Sequence, residues 1–406
     1  MKERYVRIIS PLLLLGFALL SITGPACAQV AVGTCRPNLV HFDNLDDAVH
    51  GVPNGETILV CPGTYAEQVT ISASLTLKGI QSGNSGLPII VPPPGGLRQN
   101  AVGFDLPFSW YRNAALAAQI LVNPGATVNV SGIALDATNS LLTDCSINPI
   151  AILYQDSSGV VDHVSAKNQI NPCTFGNGFP NPHGDGVLVQ SDGALVAVVA
   201  VENSSFDNIG LNGLDANGTA AGGVSFTAKG NSLVGPGNTQ GNGIYVSQAD
   251  STVSNNTISD ALHVGEFTGY VGIISECSNT FTASNNRVSN ALEGIAITSP
   301  SSYCATSAYS VTGNAVSGMQ ASGIEVCGPK HIVQGNTVSD SGQAGVVLDD
   351  VAVGLSCGTQ AVTVSGNTID RACAALVQGP ANGANLIGTN AFFNSKFLLL
   401  IGTSCL

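Results

Sequence analysis

Positive charge is what this chain has least of: 13 of its 406 residues are Lys or Arg, against 26 Asp or Glu. Three of the basic residues (Lys2, Arg4, Arg7) and one acid (Glu3) fall in the first 28 residues. The remainder therefore carries 10 basic and 25 acidic residues, a net charge of −15. No basic patch is available to neutralise phosphates, so nucleic acid is not an expected partner. Such a surface also repels polyuronates unless a cation bridges them. Aromatic residues are only 5% of the chain, with one Trp. No window carries an apolar stripe at i, i+3, i+4, i+7, which excludes a helical bundle. Past the N-terminal leader no apolar run is long enough to cross a bilayer, so no membrane span is expected. There is no C-x-x-C, and the six His are scattered, so no metal site is expected. The chain also lacks a D-x-D-x-D-G calcium loop and a G-x-S-x-G nucleophile turn. No cofactor is expected, with Ca²⁺ the one ion left open.

Glycine, asparagine and short β-forming runs are abundant by contrast, and they repeat. Gly230-Asn231-Ser232-Leu233 returns as Asn255-Asn256-Thr257-Ile258, Asn285-Asn286-Arg287-Val288, Gly313-Asn314-Ala315-Val316, Gly335-Asn336-Thr337-Val338 and Gly366-Asn367-Thr368-Ile369. Successive second Asn residues lie 25, 30, 28, 22 and 31 positions apart. A second phrase alternates with the first, in Gly243-Ile244-Tyr245-Val246, Gly272-Ile273-Ile274, Gly294-Ile295-Ala296-Ile297, Gly323-Ile324-Glu325-Val326 and Gly345-Val346-Val347-Leu348. A period of this length means a stacked architecture. Each repeat holds only period-two strands, which cannot bury an apolar face alone. Stacking coils buries Ile and Val in columns, Gly supplies the positive φ that corners need, and Asn amides stack as a ladder. The fold expected is an all-β solenoid of about ten coils, forming one domain over 29–406.

The pattern resembles the right-handed parallel β-helix of the pectin-lyase-like superfamily. Thr57-Ile58-Leu59-Val60-Cys61-Pro62-Gly63-Thr64-Tyr65-Ala66-Glu67-Gln68-Val69-Thr70-Ile71 is similar to the opening segment of many such proteins, pectinesterases included. Tyr65 and Glu67 are expected to be structural there. Just before it, Asn44-Leu45-Asp46-Asp47-Ala48-Val49 predicts a short helix with Asp43 or Asn44 as N-cap, covering the open end of the first coil. At the other end Phe397 to Ile401 predicts a final strand capping the last coil. The pectinesterase active-site phrase is missing, so esterase activity does not carry over. Asp349-Asp350 resembles the paired carboxylates of polygalacturonase-like hydrolases, but the Asn-Thr-Asp, Gly-His-Gly and Arg-Ile-Lys segments of that family are absent.

Residues 1–28 carry a basic start, an apolar run from Leu12 to Leu20 and Ala26-Cys27-Ala28, the pattern of a secretory signal cleaved between Ala28 and Gln29. A lipid anchor on Cys27 is the alternative. The chain is thus expected to be secreted, either extracellular or periplasmic, and monomeric. Ten cysteines remain after cleavage, and their order suggests Cys35/Cys61, Cys145/Cys173, Cys277/Cys304, Cys327/Cys357 and Cys373/Cys405, each separated by about one coil.

Chemistry on such a fold comes from side chains facing away from the core. In Gly-Ile-x-Val the x position faces out, and that column reads Leu188, Asp215, Tyr245, Ile274, Ala296, Glu325, Val347. The residue before the Gly reads Asp185, Asn212, Asn242, Val271, Glu293, Ser322, Ala344. Polar members crowd between His183 and Tyr245. His183, Asp185 and Asp215 are the candidate catalytic residues, since a His beside carboxylates suits acid-base work on a sugar. Asn212 and Tyr245 join them as substrate-binding candidates. Trp110, Tyr111 and Arg112 lie in a stretch from Phe104 that holds four of the chain's 22 aromatics. They form either a saccharide platform or an insertion folded back over apolar surface. The absent motifs favour a protein that binds glycans or other extracellular partners along its lateral face without catalysis. The alternative is a polysaccharide-acting lyase, epimerase or hydrolase using the His/Asp patch. One expected outcome concerns the cysteines: a non-reducing mass measurement on the exported chain should find no free thiols, and ten free thiols would refute the pairing.

Overall fold

The computed structural model describes residues 29–81, 86–171, 183–235, 241–259, 271–300, 304, 307–349, 351–352, 355–379 and 385–401. The leader, most of the loop after Lys167, Cys173, Asp350 and Cys405 lie outside the described residues.

Short strands stack in parallel into two long sheets, one of 14 strands and one of 23. A single coil contributes three strands, for example Asp250–Ser254, Thr257–Ser259 and Val271–Glu276. The next coil repeats them at Thr280–Ser284, Arg287–Ser289 and Glu293–Thr298. Ile244, Ile273, Ile295, Ile324, Val346 and Leu376 occupy one register position on successive coils. All six are buried in one continuous core. The parallel β-helix is therefore present, with rungs beyond those that the Asn phrase marks, because the N-terminal coils lack that phrase.

The Asn phrase forms a corner ladder. Asn231, Asn256, Asn286, Asn314, Asn336, Asn367 and Asn390 each pass an amide hydrogen bond to the next, Nδ2 to Oδ1, at 2.9–3.0 Å. Each Oδ1 also accepts the backbone N–H of the preceding Asn. The second Nδ2 proton goes to a strand carbonyl, such as Val253 O for Asn286. The residue before each ladder Asn from Asn231 to Asn367 takes positive φ, as in Asn255 (57°), Asn285 (54°) and Gly313 (65°). Gly and Asn tolerate that conformation at low cost, so they alternate there. The Gly of Gly-Ile-x-Val has a different cause: a Cβ on Gly272 would sit 2.3 Å from Val288 Cγ1.

The helix forms at Leu45–Gly51, with Asn44 as N-cap accepting from the Asp47 N–H. Glu67 accepts from the Leu45 and Asp46 N–H groups, and the Tyr65 hydroxyl donates to the Cys61 carbonyl at 2.8 Å. Both residues thus serve the fold's N-terminal end, where Leu45, Ala48 and Val49 close the core. Three expected disulfides are present, Cys35–Cys61, Cys277–Cys304 and Cys327–Cys357. Cys145 and Cys373 are disulfide-bonded as well, and Cys173 and Cys405, their expected partners, are outside the described residues. The strand Phe397–Ile401 exists but adds one more rung instead of a lid; most of its side chains are exposed.

Replacing Asn286 with Ala removes a ladder rung and strands donors and acceptors on both neighbouring coils. Chemical denaturation should show a loss on the order of 3 kcal/mol, since each buried group left unpaired costs about 1–3 kcal/mol. A loss within error of zero would show that the ladder contributes nothing net.

Candidate functional site: a sealed carboxyl cluster

Four strands build the candidate site: Asp185–Gln190, Asn212–Asn217, Asn242–Ser247 and Val271–Glu276. Their parallel register aligns Asp185 with Asn212 and Asn242, Leu188 with Asp215 and Tyr245, and Gln190 with Asn217, Ser247 and Glu276. The polar side chains point away from the core. They are nonetheless buried: Asp185, Asn212 and Asp215 are 0% exposed and Tyr245 is 1%.

The cover is the segment 101–114. Val102 pairs antiparallel with Ala115, which turns the chain back over the face. Tyr111 drops into an outer apolar cluster with Leu116, Leu121, Ile150, Leu153 and Leu188. Its hydroxyl donates to Asp185 Oδ1 at 2.7 Å and accepts from the Gly184 N–H at 3.1 Å. The Phe104 N–H donates to Gln190 Oε1 (3.2 Å) and Gln190 Nε2 donates to Ser109 Oγ (3.0 Å). The Tyr245 hydroxyl donates to the Phe108 carbonyl at 2.7 Å and also meets the Glu276 carboxyl. The aromatic-rich stretch therefore folds back over the lateral face and satisfies polar groups there as well as apolar ones.

Beneath it runs a closed network. Asp185 Oδ1 also accepts from the Asn212 N–H at 3.0 Å. Asp215 accepts from Asn212 Nδ2 (3.0 Å) and Asn217 Nδ2 (2.6 Å), and Asn242 Nδ2 holds Asn212 Oδ1 at 3.0 Å. The two carboxyls lie close enough for the Asp185 charge to act on Asp215. Two buried carboxyls this close disfavour a second negative charge. Asp185 Oδ2 has no hydrogen-bond partner among the described residues. Burial raises the Asp185 carboxyl to about 7. Burial and then the Asp185 charge raise Asp215 well above the carboxylate range. Tyr111 is raised by burial and by the Asp185 charge, and His183 is lowered by burial. His183 is half-buried with its ring 6.0 Å from that of Tyr111.

The structure thus divides the candidate residues. Asp185, Asp215, Asn212, Tyr245 and Tyr111 come together in one buried network, with His183 at its edge. Trp110 is 56% exposed on the outer surface of the covering segment, and Arg112 is exposed beside it, paired with Asp105. A second carboxyl group lies further along the same face. Glu293, Glu325 and Asp349 are half-buried, and burial, then the neighbouring acids, raises Glu325 to about 8. Glu293 and Glu325 stand in the two outward columns legible in the sequence, but nothing there shows how near Asp349 they lie. Among the described residues no group of three or more His, Cys, Asp or Glu is arranged to hold a metal ion.

A family model described as the right-handed β-helix region matches residues 238–404. The chain has the right-handed parallel β-helix fold of pectin-lyase-like proteins. Among solved structures, a GH136 lacto-N-biosidase from Eubacterium ramulus is similar at TM-score 0.61 and 11% identity, over 90% of this chain and 68% of that one. The mannuronan C-5 epimerase A-module of Azotobacter vinelandii gives 0.54 and 13%, over 88% and 91%. A PL6 alginate lyase in complex with a trisaccharide gives 0.51 and 14%, over 93% and 84%. At such identities the β-helix and these proteins share architecture, and their activities remain their own. No curated protein matches the chain.

A carboxyl that titrates higher in the folded state holds its proton more tightly there than when unfolded. The stability it contributes is complete below the ordinary value of 3.8, and is lost as pH rises towards 7. Asp185→Asn should flatten that decline: its melting temperature relative to the parent should improve steadily from pH 4 to pH 7. A difference that does not change with pH would refute the raised Asp185 carboxyl. Tyr111→Phe should cost about 1–3 kcal/mol, because it leaves Asp185 Oδ1 short of a buried donor.

Proposed function

We propose that the chain is an exported glycan-binding β-helix that binds saccharide on its lateral face around Trp110, without chemistry at Asp185 and Asp215. The leader 1–28 is removed before Gln29, and the remainder works as one domain in an oxidising compartment, consistent with its disulfides. The observation that carries this reading is the complete burial of Asp185 and Asp215 under Tyr111 while Trp110 stands exposed on the same segment. A sugar ring cannot reach those carboxyls, whereas an indole face is free to stack on one. Similar structures named as acting on saccharides support a carbohydrate partner through the fold. Net negative charge favours neutral glycans over uronates.

One observation favours the alternative, catalysis at His183, Asp185 and Asp215: a carboxyl poised near 7 suits proton transfer at neutral pH. That reading requires segment 101–114 to leave the face. A glycan array combined with a reducing-end and unsaturated-product assay separates the two. Binding without product is expected. Trp110→Ala should weaken it about tenfold, roughly the loss of one stacking contact. Asp185→Asn should leave it unchanged. Product formation abolished by Asp185→Asn would overturn the proposal in favour of the enzyme.

A further inference from the structure

A cavity of about 380 Å³ lies beside the helix Leu45–Gly51, between two walls of opposite charge. The helix and the first corner supply the Asp46 and Glu67 carboxyls. The loop that follows Ile89–Val91 supplies Pro93, Gly95 and Arg98, and Gln68 completes the lining.

Both walls are fixed by hydrogen bonds. Glu67 accepts from the Leu45 and Asp46 N–H groups, and its own N–H donates to the Val91 carbonyl at 3.0 Å. Those helix donors are thereby satisfied, so the helix end is not itself the binding group. The Arg98 N–H donates to Gln68 Oε1 at 2.7 Å, and Gln68 Nε2 donates to the Arg98 carbonyl at 2.9 Å. The Gly96 N–H closes the loop onto the Pro93 carbonyl at 2.7 Å. None of these bonds uses the Arg98 side chain. Its guanidinium makes no ion pair or hydrogen bond among the described residues, unlike Arg112 with Asp105 and Arg371 with Asp340. It lies over Gly95, where a Cβ would sit 3.0 Å from Nη2. The Asp46 carboxyl has His50 at 3.5 Å. Charges of opposite sign therefore line one cavity without pairing with each other.

We propose that this cavity binds a small zwitterion, its carboxylate on Arg98 and its ammonium on Asp46: the chemistry of an α-amino acid or a short peptide. A guanidinium takes a carboxylate through two parallel N–H···O bonds. Asp46 supplies the opposite charge, and Glu67 adds negative potential on the same wall. Two carboxyls against one guanidinium disfavour a dianion such as phosphate. The volume is that of a small-molecule site, about 300–1,000 Å³. Fixed walls lower the ordering cost of binding. This site is separate from saccharide binding at Trp110 and needs neither Asp185 nor Asp215.

Calorimetric titration of the chain from Gln29 to Leu406 tests it, with L-alanine and L-alanyl-L-alanine as probes and acetate, methylammonium and inorganic phosphate for comparison. At least one zwitterion should saturate with a Kd of about 1 mM or tighter. The two probes distinguish a free amino acid from a peptide. Arg98→Gln and Asp46→Asn should each weaken binding about tenfold, the loss of one charge-assisted contact. Gly95→Ala keeps every charge and crowds the guanidinium, so it should weaken binding as well. Val198→Asp, on the exposed 14-stranded sheet, should bind as the parent does. Melting temperatures close to the parent's show that each variant is folded. No saturation by either zwitterion, acetate or phosphate binding as tightly as the zwitterions, or binding kept in both Arg98→Gln and Asp46→Asn would each overturn the proposal.

Discussion

The asparagine ladder is the interaction on which this structure depends. A parallel solenoid must turn sharply at every coil, and each turn leaves backbone groups without strand partners. From Asn231 to Asn367 one Asn per coil meets that need at 0–1% exposure, giving two amide protons and taking two N–H groups from neighbouring coils. Because each bond joins one coil to the next, the ladder also sets the register of the apolar columns. A one-residue slip would break it from Asn231 to Asn390. The positive φ before each Asn from Asn231 to Asn367 and the close-packed Gly in the following strand are conditions of the same geometry.

That register carries side chains outward as regularly as it carries Ile and Val inward. Outward, however, means only away from the core. Between Asp185 and Tyr245 the outward face is roofed by segment 101–114, and its polar groups have become an internal hydrogen-bonded network. Beyond Glu276 the same columns are half-open, and Glu293, Glu325 and Asp349 crowd there. The lateral face is thus one sheet with two environments, separated by where a single insertion lies.

Much of this was legible in the residues themselves. Asn and Gly spacing predicts coils, the period-two apolar pattern predicts which side is core, and the Asp185, Asp215 and Tyr245 columns follow by counting. Cysteine separations of about one coil matched three bridges because neighbouring coils bring such residues together. Two things were not legible. The stretch from Phe104 to Arg112 has no periodicity, so its path over coils seventy or more positions away left no local trace. Phe397–Ile401 reads as apolar whether it closes the core or extends it, and only its parallel pairing with Thr368–Gln378 distinguishes the two.

The amino-acid sequence by itself determined the stacked β architecture, the corner chemistry and the set of side chains facing away from the core, because those depend on interactions repeated at every coil. Tertiary structure alone decided which of those side chains meet water. Tyr111 reaches Asp185 across 74 positions of chain, and burial under that contact turns two carboxyls from surface acids into a buried pair.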